Sequence, residues 1–267
     1  SRNLETPPGL LGAVWTGPLH LGHLRNMALG ESMSNILESQ GYKVIRLNLN
    51  NDRGIHICKS MLAYERWGAG KTPQSEGKKS DHFVGEYYVM FCQKEKEKPE
   101  LAQEAQEMLL KWESNDPHIL KLWEKMNAWA FSGFEDTYKR FGLAKFDKVY
   151  YESLTYKHGK EMVLDGLKKG IFTKNKDGAV VVDLTEEGMG EKVLIRADGT
   201  SVYITQDLYL AWLKYNDFKY DRSIYIVASE QNHHFKVLFA VLRKLGLQFV
   251  EGCYHFSYGM VLLPEGK

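Results

Sequence analysis

Two histidines stand two residues apart in Gly17-Pro18-Leu19-His20-Leu21-Gly22-His23-Leu24-Arg25-Asn26, where an apolar helical pattern begins. At a helix start the macrodipole and the free N–H groups favour phosphate. Gly22 removes the side chain that would keep a purine or phosphate off the backbone. His20 and His23, neutral or cationic, are suited to stabilising charge that develops on a pentavalent phosphorus centre. Two incidental histidines at an ordinary helix terminus are the plainer alternative. Zinc is a weak one, because no third ligand lies nearby in the sequence.

Three further clusters fall where strands end. Tyr203-Ile204-Thr205-Gln206-Asp207 sits at a strand-to-helix change, the usual ligand edge of an open parallel sheet. Tyr203 and Asp207 are four apart and line one wall if the helix begins near Thr205. A carboxylate beside a phenol suits a guanidinium, which it takes in two parallel bonds. Alternatively, Thr205 or Asp207 caps the helix. Ser229-Glu230-Gln231-Asn232-His233-His234-Phe235 follows the strand-like SIYIVA and offers polar ligand contacts or helix caps. The last cluster, His255 to Lys267, includes Gly259 inside an apolar strand pattern, a sign of close approach by ligand or backbone.

The elements that must position these residues read as α/β. A helix is predicted over 19–41, a strand over 42–49 and a helix over 55–67, the order of a parallel unit. Residues 69–80 form a polar loop. From Asp81 to Gly142 the pattern is helical, with Lys94 to Lys98 a solvated face and aromatics such as Tyr87, Phe91, Trp112 and Phe134 at core spacing. Strands follow at 146–151, 179–184, within 192–204, at 223–228 and at 254–261, with helices at 157–169, 207–215 and 234–245 and a hairpin turn at 174–178. The first 15 residues, with Pro7-Pro8-Gly9, read as an irregular lead-in. The organisation expected is a first half of a nucleotide-binding core over 1–75, a helical insertion over 76–145 and a second half over 146–267, with a small β element near 174–204.

Composition narrows the function classes. The 267 residues carry 35 Lys+Arg against 34 Asp+Glu, a net charge of +1, which excludes a generally basic nucleic-acid binder but not a local basic patch. Hydrophobic residues at 43% and charged residues at 26% exclude a wholly disordered chain. Cys58, Cys92 and Cys253 show no zinc spacing and suggest free thiols in a reducing compartment, hence a cytoplasmic protein. No apolar run reaches the ~18–20 residues of a membrane span, and no secretory signal is expected.

Together these segments resemble the catalytic domain of a class I arginyl-tRNA synthetase. His20-Leu21-Gly22-His23 looks like the HIGH signature. Asn51-Asp52-Arg53-Gly54-Ile55-His56-Ile57-Cys58-Lys59-Ser60 is similar to the stretch after the second strand in bacterial members. Arg196 through Asp207 is similar to the arginine-pocket segment, and Gln231 and His234 fit its Gln-x-x-His. The resemblance implies a Rossmann-like (HUP-type) parallel sheet with helices on both faces, interrupted by a mostly helical insertion. It implies activation of L-arginine with ATP to arginyl-adenylate and transfer to the 3′ end of tRNA(Arg). It puts the arginine side chain on Tyr203 and Asp207 with Gln231 beside them, and gives the catalytic pair His20 and His23 the ATP phosphates. By the same mapping Gly22 leaves room for adenosine, the main chain at Gly259, Met260 and Val261 meets adenine, and His234 lies near the nucleotide. Mg²⁺ would come with ATP rather than on a protein metal site, and the protein would be a monomer.

Three departures accompany the resemblance. Members carry Ser-Pro-Asn-x-x-Lys before the HIGH box, where Val14 and Gly17 stand for the Asn and Lys. Lys267 would be the first residue of the KMSKS-like loop, and the outer tRNA-binding domains are not in the sequence, so a truncated or engineered catalytic core is expected. Alternatives are an ATP- and arginine-binding fragment without turnover, or another HxGH nucleotidyltransferase.

Overall fold

Residues 44–50 are all buried, polar Arg46, Asn48 and Asn50 together with Val44, Ile45, Leu47 and Leu49, the pattern of strands covered on both sides. The computed structural model describes residues 3–5, 13–14, 19–68 and 70–259. Its first elements are β1 (Asn3–Glu5), β2 (Ala13–Val14), α1 (Leu21–Ser39), β3 (Lys43–Ile45) and β4 (Leu47–Asn51). Four helices follow: α2 (Ile55–Trp67), α3 (Ser80–Glu97), α4 (Leu101–Glu113) and α5 (Pro117–Phe141). Then come β5 (Lys148–Tyr151), α6 (Glu152–Lys168), β6 (Thr173–Lys174), β7 (Val180–Leu184) and β8 (Gly190–Ile195). The described chain closes with α7 (Tyr203–Phe218), β9 (Arg222–Ala228), α8 (Asn232–Lys244) and β10 (Cys253–Tyr258). Among the described residues no helix is long and apolar enough to cross a membrane.

The chain divides into two units. One comprises Leu24–Leu49 and the residues from Lys145 onward, together with β1; the other comprises Asn50–Ala144 with β2 and the residues up to His23. In the first, β10, β9, β1 and β3 form a parallel sheet in that order. Strands β6, β7 and β8 make a separate antiparallel sheet, opened by a turn in which Asn175 Oδ1 accepts from Asp177 N and Ala179 N. The α/β class with a parallel sheet is therefore as the sequence implies.

Helix α7 carries Tyr203 and Asp207, the residues of the expected arginine pocket, and it is buried on two sides. Leu210 joins Ile45, Leu47, Leu49 and Tyr150 in one core cluster, while Ile204, Leu208 and Ala211 join Tyr225, Leu238 and Val241 in the other. Thr205, fully buried, donates from Oγ1 to Leu194 O at 2.6 Å. Lys214 Nζ donates to Ser223 Oγ at 3.0 Å and lies 4.0 Å from the Tyr225 ring centre, tying the far half of the helix to β9. Helix α6 crosses α7 at Gly159, where any Cβ would collide with Thr205 O.

Arg46, buried between β3 and β4, anchors α1 from below. Its guanidinium takes both carboxylate oxygens of Glu38, at 2.6 and 3.0 Å, and its main chain exchanges hydrogen bonds with Asp147. The helical unit is read from its caps. Asp116 Oδ1 accepts from His118 N and Ile119 N, Pro117 opens α5, and Gly142 closes it at φ 79. Tyr64, Phe83, Tyr87 and Trp129 pack edge-to-face at centroid separations of 5.1 to 6.1 Å. Asp81, almost fully buried, is met by Lys79 Nζ at 2.7 Å.

Several expected boundaries move. The stretch 81–142 is three helices, interrupted at Pro99 and at Asn115, whose φ is 62. Helix α6 starts at Glu152 rather than 157, and α7 starts at Tyr203 rather than near Thr205 or Asp207. Neither Thr205 nor Asp207 caps α7; its N-cap, Val202, makes no side-chain hydrogen bond. Strand β1 within the first 15 residues is unanticipated, and Pro7-Pro8-Gly9 lies outside the described residues.

The Gly159 crossing sets the position of α7. Gly159→Ala gains up to about 1 kcal/mol of helix propensity but forces about 1–3 kcal/mol of overpacking against a main-chain carbonyl. A lower chemical-denaturation midpoint is expected; an unchanged or raised midpoint would show that the crossing is not tight.

Candidate active-site residues

The first four N–H groups of a helix have no partner within it. At α1 two of the relevant donors are met by imidazoles. Gly22 N donates to His20 Nδ1 at 3.1 Å, and His20 N donates to His23 Nδ1 at 3.2 Å. His20 is the residue before the helix and His23 its third, so the pair forms a reciprocal capping box with rings in place of the usual hydroxyl and carboxylate. The ring centres are 3.9 Å apart. Gly22 has a local reason besides any ligand: a Cβ there would stand 2.9 Å from His20 Cε1 and 3.1 Å from Nδ1. The His20 ring can fold onto the helix start only over a glycine.

This cap settles the chemistry of the rings. An N–H donating to Nδ1 needs a lone pair there, so each neutral ring carries its hydrogen on Nε2. His23 is held neutral near pH 7, its pKa lowered to about 4 by burial and then by the charge of His20. Of the two states left open by the sequence, His23 is the neutral Nε2–H donor.

In the other unit, Asp207 lies four residues, about one turn, after Tyr203 on α7. Tyr203 is 77% exposed, whereas the Asp207 side chain is 21% exposed. His234, in the first turn of α8, brings Nε2 to 2.6 Å from Asp207 Oδ2. It is delivered by the tight sequence β9, a 3-10 turn over Ser229–Gln231, then α8. The structure thus brings the acid of the expected arginine pocket together with the histidine that the resemblance assigns to the nucleotide. Gln231 is the exposed N-cap of α8 and makes no side-chain cap.

Gly259 requires a correction. It does not lie inside a strand: β10 ends at Tyr258, and among the described residues nothing stands within 4 Å of a Cβ placed at 259. Met260 and Val261 lie outside the described residues, as does Gly17; Val14 is in β2, opposite Asn51.

His255, to which sequence reading gives no role, packs its ring 4.3 Å from Phe235, next to His234. Its Nε2 is 2.9 Å from Val227 O, which can only accept, so the hydrogen is on Nε2. Burial foremost holds its pKa below the usual imidazole range. The strand period of two puts His255 and Ser257 on one face of β10, and Ser257 Oγ donates to Asn232 Oδ1 of α8 on that side. Arg25, two residues after the His pair, lies 5.4 Å from the Tyr258 ring centre. Among the described residues no group of three or more His, Cys, Asp or Glu could hold a metal ion.

Comparison with known proteins bears on residues 15–267, which match the family described as tRNA synthetases class I (R), catalytic domain. An arginine–tRNA ligase from Bacteroides thetaiotaomicron is 53% identical, covering 94% of this chain and 45% of that protein. One from Amoebophilus asiaticus is also 53% identical with the same coverage. The chain thus spans somewhat under half the length of these relatives. Among solved structures, arginyl-tRNA synthetases from Plasmodium falciparum and Thermus thermophilus superpose with TM-scores of 0.75 and 0.67 at 20% and 21% identity. They cover 98% and 100% of this chain and 44% and 52% of theirs, a likeness of fold. With the family match running through the paired histidines, the Tyr203–Asp207 segment and Gln231-x-x-His234, this chain belongs to the catalytic-domain family of class I arginyl-tRNA synthetases.

Proposed function

We propose that this chain is the catalytic core that activates L-arginine with ATP and passes the arginyl group to the 3′ end of tRNA(Arg). Asp207 carries the proposal. A carboxylate four-fifths removed from water, one turn after an exposed phenol, matches a guanidinium in charge and planar geometry. Tyr203 and Gln231 flank the arginine side chain. His20 and His23 donate from Nε2 to phosphate oxygens, and Gly22 leaves space for adenosine. Gly259, Met260 and Val261 offer main chain to adenine. A carboxylate oxygen of arginine attacks the α-phosphorus, the bond to the leaving oxygen breaks and pyrophosphate departs. The terminal hydroxyl of tRNA then attacks the carbonyl carbon and AMP leaves. No covalent bond to the protein is needed; the residues orient the reactants and meet charge on phosphorus. Mg²⁺ would enter with the triphosphate of ATP. A reducing, cytoplasmic setting is supported by Cys58, Cys92 and Cys253 all being free thiols.

Two measurements test these assignments. Asp207→Asn keeps the shape and removes the charge. Calorimetric L-arginine affinity should fall by about 100-fold, with arginine-dependent ATP–pyrophosphate exchange falling in step and ATP affinity unchanged. Unaltered arginine affinity would remove Asp207 from the pocket, and binding without exchange would reduce the chain to a binding fragment. For His23, the unfolded imidazole at 6.5 takes a proton between that pH and about 4 that the folded ring refuses. Stability therefore rises with pH across this window and is lost as pH falls from 6.5 to about 4. His23→Asn, whose Oδ1 can still accept from His20 N, should flatten that part of the curve in urea titrations; a variant curve parallel to the wild type would contradict the neutral ring.

A further inference from the structure

We propose that His234 is a positioning residue for Asp207: its Nε2–H fixes the carboxylate that receives the guanidinium, so it serves the arginine end of the reaction. The inference rests on the arginine-binding reading of Asp207 and assigns His234 a different duty from the nucleotide contact implied by resemblance.

The geometry carries it. The 2.6 Å approach of Nε2 to Oδ2 is a short bond to a group that, when ionised, only accepts. Both side chains are about three-quarters or more removed from water, at 26% and 21% exposed, so the bond is not an incidental surface pair. A carboxylate on a single Cβ can rotate, and a planar fork needs its plane fixed. One donor on Oδ2 fixes that plane while leaving the second lone pair of Oδ2 and both of Oδ1 for the ligand. His234 is itself backed by structure. It sits in the first turn of α8, edge-on to Phe235 at 5.6 Å between centroids. Phe235 is buried and packs in turn on His255, whose ring is pinned to Val227 O. The titratable groups facing His234 are Asp207 from α7 and His255 from β10.

The test uses L-arginine binding by calorimetry, with ATP binding measured in parallel and Asp207→Asn as control. His234→Ala should weaken arginine binding by about 10-fold and leave ATP affinity unchanged. His234→Gln, whose amide nitrogen falls close to the position of Nε2, should restore arginine binding to within about 3-fold of wild type. Rescue by this donor is a result that a purely structural role for the ring would not give. Equal weakening of arginine binding in both variants, or a loss confined to ATP, would overturn the proposal. If Asp207→Asn leaves arginine binding intact, the pocket reading itself fails. If Asp207→Asn abolishes binding while His234→Ala does nothing, only the positioning role falls.

Discussion

Taking a carboxylate out of water is unfavourable unless donors meet it where it goes. Asp207 is such a group, and much of its unit can be understood as the means of holding it. Its helix is pinned from one side by the α6 crossing at Gly159 and from below by the Thr205 hydroxyl on Leu194 O. Apolar residues on two faces of α7 lock its rotation between two core clusters. The compensating donor comes from another helix, reached by a single 3-10 turn from the parallel strand β9. A parallel sheet delivers side chains at its carboxyl edge in this way because each strand hands over directly to a helix there.

The contrast between the two candidate clusters is physical. Asp207 and His234 are 27 residues apart and meet only because α7 and α8 pack on β9. His20 and His23 meet within one turn. For the first pair tertiary packing does the positioning; for the second the main chain does. The difference shows in their polar partners: side chain to side chain for Asp207, and backbone N–H to ring for both histidines.

Much of this was legible in the residues. The apolar run of β9 and the Gly142 stop carry local signals that tertiary structure did not override. What escaped did so for identifiable reasons. Strand β1 is three residues long, too short to show any period, yet it lies between β9 and β3 in the sheet. The early start of α7 was hidden by Val202 and Tyr203, which read equally well as strand. The His234–Asp207 contact depends on how two helices pack, which spacing along the chain does not encode. Gly22 was readable as ligand clearance, but its nearer cause, the folded-back His20 ring, needed coordinates.

The reciprocal cap at α1 has one more consequence. All of its hydrogen-bonding atoms belong to the tetrapeptide His20-Leu21-Gly22-His23, so its geometry asks nothing of distant parts of the chain. Such a unit is modular. Grafted onto the start of an unrelated amphipathic helix it would still cap the first turn, which makes it portable between scaffolds in a way that the Asp207–His234 contact, assembled from two packed helices, is not.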